Sequence, residues 1–148
     1  MKYMINKSVS ILSIFLFFVT LSGCSLLIDR YDKIAYQNAT SIKVDSLALM
    51  GKATTPYTKN ESAVDTLQIK LEKAYEYAKG RPKNDIVTKQ WEIMKNPNRN
   101  LLGGFLVRWK KKGVLSETFI TEAKRNTALG FDQIIGLESG KIKPKESK

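Results

Sequence analysis

Fourteen carboxylates, one cysteine and no histidine set the chemistry open to this 148-residue chain. Without histidine there is no Ser-His or Cys-His nucleophile pair and no imidazole-ligated metal. With one cysteine there is no intrachain disulfide. Acid–base or metal chemistry would fall to carboxylates. Asp29 and Asp32 stand three residues apart, and Glu72 and Glu76 four apart. On a helix each pair shares a face, a layout that can hold a hard cation. Both pairs have basic neighbours, Arg30 and Lys73, and read as solvated charged faces. A two-carboxylate hydrolase needs no histidine, so that enzyme class stays open. Leu102-Gly103-Gly104-Phe105 lacks the Lys-Ser/Thr of a phosphate loop. No catalytic residue, metal ligand or cofactor is assigned.

The run Arg108-Trp109-Lys110-Lys111-Lys112 is the most unusual local feature of the interior. Lysines at a helix C-terminus complement its dipole, and Trp109 would then belong to the core. The other reading is an anion-facing patch, with Trp109 as an interfacial anchor and the cations on phosphate or acidic groups. Its ligands would be anionic lipid, a cell-wall polymer or an acidic protein. Lys79-Gly80-Arg81-Pro82-Lys83 reads as a solvated loop. The tail with Lys141, Lys143, Lys145 and Lys148 reads as a frayed end.

The strongest signal lies in the first 24 residues. Lys2 and Lys7 flank a short basic start, and Ser8 to Leu21 carries no charge. A basic start before a short apolar run is the layout of a secretory signal peptide. The run falls short of the about 20 apolar residues that a membrane span needs. It ends in Leu21-Ser22-Gly23-Cys24, a branched apolar residue, two small ones and a cysteine. This segment resembles the lipobox of bacterial lipoprotein precursors. The resemblance implies that signal peptidase recognises Leu21, Ser22 and Gly23, that Cys24 receives a diacylglycerol, and that its new amino group receives an N-acyl chain. Two or more chains give stable anchoring without a span. Ser25 follows the cysteine where Asp would mark inner-membrane retention, so the resemblance favours the outer membrane. It covers the first sixth of the chain and carries no activity.

These readings divide the chain into a signal peptide at 1–23, a lipidated cysteine with a short tether at 24–28, a helical domain at 29–140 and a basic flexible tail at 141–148. Removal of the signal leaves 125 residues and lowers the formal charge from +11 to +9. Export argues against nucleic acid as the partner of that charge.

The elements that must position the candidate residues are helical. Residues 29–50 form a first helix, with Ile28, Tyr31, Ala35, Ile42 and Leu49 on one face, interrupted by Asn38 and Ser46. Val64, Leu67, Leu71, Ala74, Tyr75 and Ala78 recur at helical spacing in a second. Thr58-Lys59-Asn60-Glu61 fits a capping box before it, and Gly80 with Pro82 ends it. A short helix from Asn84 to Met94 aligns Val87, Trp91 and Met94. A fourth, Leu101 to Lys112, aligns Leu102, Phe105, Leu106 and Trp109. A last helix from Ser116 to Ser139 uses Phe119, Ala123, Phe131, Ile134 and Ile135. Gly130 and Gly136 within it call for a bend or close packing. No segment alternates as a strand would. The expected fold is all-α, a compact bundle of four or five helices.

The composition and anchor together point to a non-catalytic helical adaptor or accessory protein, held on a membrane by lipid and engaging an envelope protein. The alternative is a module that binds anionic lipid or cell-wall polymer through the Arg108–Lys112 patch.

Overall fold

The computed structural model describes residues 31–143. The expected signal peptide, the lipobox with Cys24, the tether, Asp29 and residues 144–148 lie outside them. The described residues form an all-α bundle of five helices with no strand.

Helix α1 spans Lys33–Gly51. It starts four residues later than the spacing suggests, because extended Asp32 caps it: its carboxylate accepts from the Ala35 amide at 2.9 Å. Ala35, Ala39, Ile42, Ser46, Leu49 and Met50 form the buried stripe. Ser46 therefore belongs to the stripe it seemed to break, since a small side chain lets a neighbouring helix approach. Tyr31 does not belong to it and stands in solvent.

Two 3-10 turns, Lys52–Thr54 and Tyr57–Lys59, lead into α2, Glu61–Gly80. The capping box does not form. Thr58 is used in the second turn, and Asn60 takes the cap position with its side chain turned back to Thr55 Oγ1 at 2.9 Å and the Pro56 carbonyl at 3.2 Å. The buried face of α2 is Val64, Leu67, Leu71, Ala74 and Ala78. Helix α3, Asp85–Lys95, buries Val87, Trp91 and Met94.

Helix α4, Leu102–Lys112, begins where its glycines touch the preceding loop. A Cβ at Gly103 would meet the Lys95 and Asn96 carbonyls, and one at Gly104 the Arg99 carbonyl. Gly103-Gly104 is thus a close-packing device. Gly113, at φ 79°, ends α4 in a conformation that side chains disfavour. Helix α5 runs unbroken over Glu117–Glu138. Its glycines serve close packing: Gly130 faces the Met94 side chain and Gly136 faces Ile142. Its core residues include Ile120, Thr127 and Leu137, while Phe119, Ala123 and Ile135 are only partly buried.

Helix α1 packs against α5 and α2, and α3 packs against α2, α4 and α5. The bundle has two poles. At the proximal pole the start of α1 meets the ends of α2 and α5. At the distal pole the end of α1 meets the end of α4, through Leu115 N to Ala53 O and Tyr57 N to Gly113 O, both 2.8 Å. Between the poles, ion pairs bridge the helices: Lys43–Asp132, Lys70–Asp45 and Lys95–Glu72. These are partly exposed pairs, each worth up to about 1 kcal/mol.

Candidate functional site

The five residues of the basic run are separated by helical geometry. Trp109 is fully buried, and its indole nitrogen donates to the Thr55 carbonyl at 3.1 Å. Tyr57 meets its ring edge-on at 5.5 Å. Trp109 is therefore a core residue with its polar edge satisfied, and the interfacial role considered for it is corrected: a side chain with no exposed surface reaches no interface. Arg108 lies over the Phe119 ring at 4.3 Å, and Phe119 stacks on Phe105. Lys110 approaches Glu61 at 4.0 Å and the Tyr57 ring at 5.6 Å. Lys111 and Lys112 project outward with no ion pair among the described residues. The cationic surface at the distal pole is thus Arg108, Lys110, Lys111 and Lys112. Lys43, Lys70 and Lys95 on the bundle flanks are held by carboxylates, whereas Lys111 and Lys112, like Lys73 and Lys124 on the flanks, have no ion pair among the described residues. Arg108 lines a groove of about 320 Å³ between α4 and α5, together with Leu101, Phe105, Phe119, Glu122 and Asn126.

The carboxylates divide differently from their sequence spacing. Glu72 and Glu76 do not act together: Glu72 is held by Lys95 at 2.7 and 3.0 Å, and Glu76 by Lys79 at 3.4 Å. Among the described residues no group of three potential ligands could hold a metal ion. Glu72 and Glu92 do line one cleft, of about 530 Å³, between α2, α3 and the start of α4. The Lys89 ammonium beside Glu92 holds its carboxyl below the ordinary value. A two-carboxylate hydrolase needs one carboxyl raised so that it carries a proton at work. Among the described residues the carboxyl that is raised is that of Glu138, and it lines none of four surface clefts, this one included.

Glu138 belongs to a polar cluster at the proximal pole that sequence reasoning missed. Its side chain is 2% exposed and receives the Arg81 guanidinium at 2.6 Å. Burial pushes the Glu138 carboxyl up, and Arg81 pulls it partly back. Arg81 also reaches Asp32 at 3.6 Å, and the Tyr77 hydroxyl donates to Asp32 at 2.8 Å. The Ala35 amide, then Tyr77 and Arg81, hold the Asp32 carboxyl below its ordinary value, and that bond raises the Tyr77 hydroxyl. Asn84, also buried, donates to the Ala78 carbonyl at 3.0 Å and joins α2 to α3. Arg81 is therefore no solvated loop residue. It neutralises a buried acid and ties three helices at one point. Its signal in the sequence was weak: a lone Glu at a helix end, 57 residues from its partner.

The chain matches no protein-family model, and searches of curated proteins and of solved structures return no match. No helix among the described residues is long and apolar enough to cross a membrane.

Proposed function

We propose that the chain is a bacterial envelope lipoprotein, anchored through lipid on Cys24, whose helical domain acts as a non-catalytic adaptor and offers its distal pole to an envelope partner. The observation that carries the anchor is Leu21-Ser22-Gly23-Cys24 at the end of a basic-then-apolar segment, seven residues before Tyr31. The adaptor role is supported by the four cations gathered at the end of α4, of which Lys111 and Lys112 have no ion pair among the described residues and Arg108 lines the groove of Phe105 and Phe119. An acidic surface on the partner would satisfy Lys111 and Lys112, and an apolar side chain would fill the Phe105–Phe119 groove.

The test is metabolic labelling with an alkyne fatty acid, followed by in-cell crosslinking and affinity capture. The account expects label on the wild-type chain, none on Cys24→Ser, and one discrete crosslinked protein that depends on Lys111 and Lys112. An unlabelled chain would refute the anchor. A labelled chain that captures no envelope protein would refute the adaptor role.

The same unpaired lysines support a second reading, direct binding of cell-wall polymer or anionic lipid. It expects salt-sensitive binding to isolated cell wall or anionic vesicles, abolished when Lys110, Lys111 and Lys112 become Gln.

A further inference from the structure

Two large apolar side chains stand in solvent where α1 begins, one just before the Asp32 cap and one in the first turn. Tyr31 is 59% exposed and Ile34 55%. Lys33 stands between them and is exposed as well. Asp32, Tyr77, Arg81 and Glu138 draw the ends of α2 and α5 to this point. Exposed Lys83 and Lys141 therefore lie at the same pole, each within three residues of that cluster. The exposed acids nearby are Glu76, held by Lys79, and Asp85. Apolar side chains within a cationic collar suit the surface of an anionic bilayer, where each lysine adds about fivefold to binding.

The distal pole also carries lysines, and Val107 and Val114 there are half exposed. Chain length separates the two. Tyr31 follows Cys24 by seven residues, which span at most about 25 Å when fully extended. Helix α1 has 19 residues and is about 28 Å long. A bundle standing on its distal pole would lift Tyr31 by about that helix length, beyond the reach of the tether. Charge and apolar exposure allow contact at either pole, but the tether allows end-on contact only at the proximal one.

We propose that the proximal pole rests on the anionic bilayer that holds Cys24, with Tyr31 and Ile34 at headgroup depth and Lys33, Lys83 and Lys141 against phosphate. This rests on the reading of Cys24 as a lipid anchor. It fixes the orientation of the domain, so that the Arg108–Lys112 end faces away from the membrane.

The experiment uses the full chain, produced in a lipoprotein-processing bacterium. Acylation of Cys24 leaves a single introduced thiol free for labelling. Ile34→Cys and Lys83→Cys place a fluorophore at the proximal pole, and Lys111→Cys and Val114→Cys place one at the distal pole. Each is reconstituted into phosphatidylcholine–phosphatidylglycerol vesicles with brominated acyl chains as quencher. Quenching should be several-fold stronger at the proximal sites. It should weaken when phosphatidylglycerol is omitted, and also when Lys33, Lys83 and Lys141 are changed together to Gln. Equal quenching at the two poles, or stronger quenching at Lys111→Cys and Val114→Cys, overturns the proposal. Intact mass separates this from failure of the anchor: an unmodified Cys24 overturns the anchor reading, and the proposal with it, before any quenching is read.

Discussion

At the proximal pole, three helix ends converge on charge: Arg81 lies between Glu138 and Asp32, with Tyr77 closing the group. At the distal pole the convergence is aromatic: Trp109 meets Tyr57 and Phe105, and the loops are joined by backbone hydrogen bonds. Both poles are closed, but by interactions with different failure modes. Aromatic closure gains from buried area and tolerates no deletion. Ionic closure offsets a large desolvation cost with a few short contacts, so removing both charges harms it less than removing one.

The comparison breaks most directly at Trp109. Trp109→Ala should cost about 4–5 kcal/mol, the upper part of the range for aromatic truncation, because it also leaves the Thr55 carbonyl without its donor. Denaturant unfolding measures this. A loss below about 1 kcal/mol would mean that the distal pole is not held by its aromatic cluster.

Arg81→Met should cost about 3 kcal/mol, the lower end for a broken buried pair, because Glu138 can take up a proton in response. Adding Glu138→Leu should recover at least half of that loss. Failure to recover would show that the pair sets the geometry of the pole as well as neutralising its charge.

The pH dependence sharpens the same contrast. Asp32 has its carboxyl lowered by the fold, so its contribution is present above its ordinary 3.8 and is lost as pH falls through the folded value. Glu138 has its carboxyl raised, so the fold binds its proton more tightly than the unfolded chain does, and stability declines as pH rises from 4.5 through the folded value. Melting temperature against pH should show both limbs. Glu138→Gln should flatten the upper limb and keep the acid loss.

The smallest effect on stability belongs to the distal lysines. Changing Lys111 and Lys112 together to Gln should cost about 1 kcal/mol, the loss of two exposed cations from the C-terminal end of the α4 dipole. The proposed adaptor role expects crosslinking to an envelope protein to fall sharply nonetheless. A large loss of stability would assign these lysines to the fold.

The helices were legible because their apolar residues recur at 3–4-residue spacing, as in Val64-Leu67-Leu71 and Leu102-Phe105-Leu106-Trp109. The ends of α1 and α2 were less so. Asp32 reads equally well as a helix residue or as a cap, and Thr58 was claimed by a turn that depends on a contact with Gly113. The basic run was visible in sequence, but only the rotation of α4 separates buried Trp109 from outward Lys111 and Lys112. Arg81 and Glu138 could not be paired from sequence, because the link between them is made by the packing of α2 and α5.

The proposed arrangement gives the two poles different neighbours, lipid at the start of α1 and a protein at the end of α4. It is tested most directly by photo-crosslinking in living cells from probes at Ile34 and Lys111, compared side by side by mass spectrometry. The account predicts phospholipid adducts from Ile34 and one discrete protein adduct from Lys111. The same adducts from both positions, or lipid from Lys111 and protein from Ile34, would contradict it.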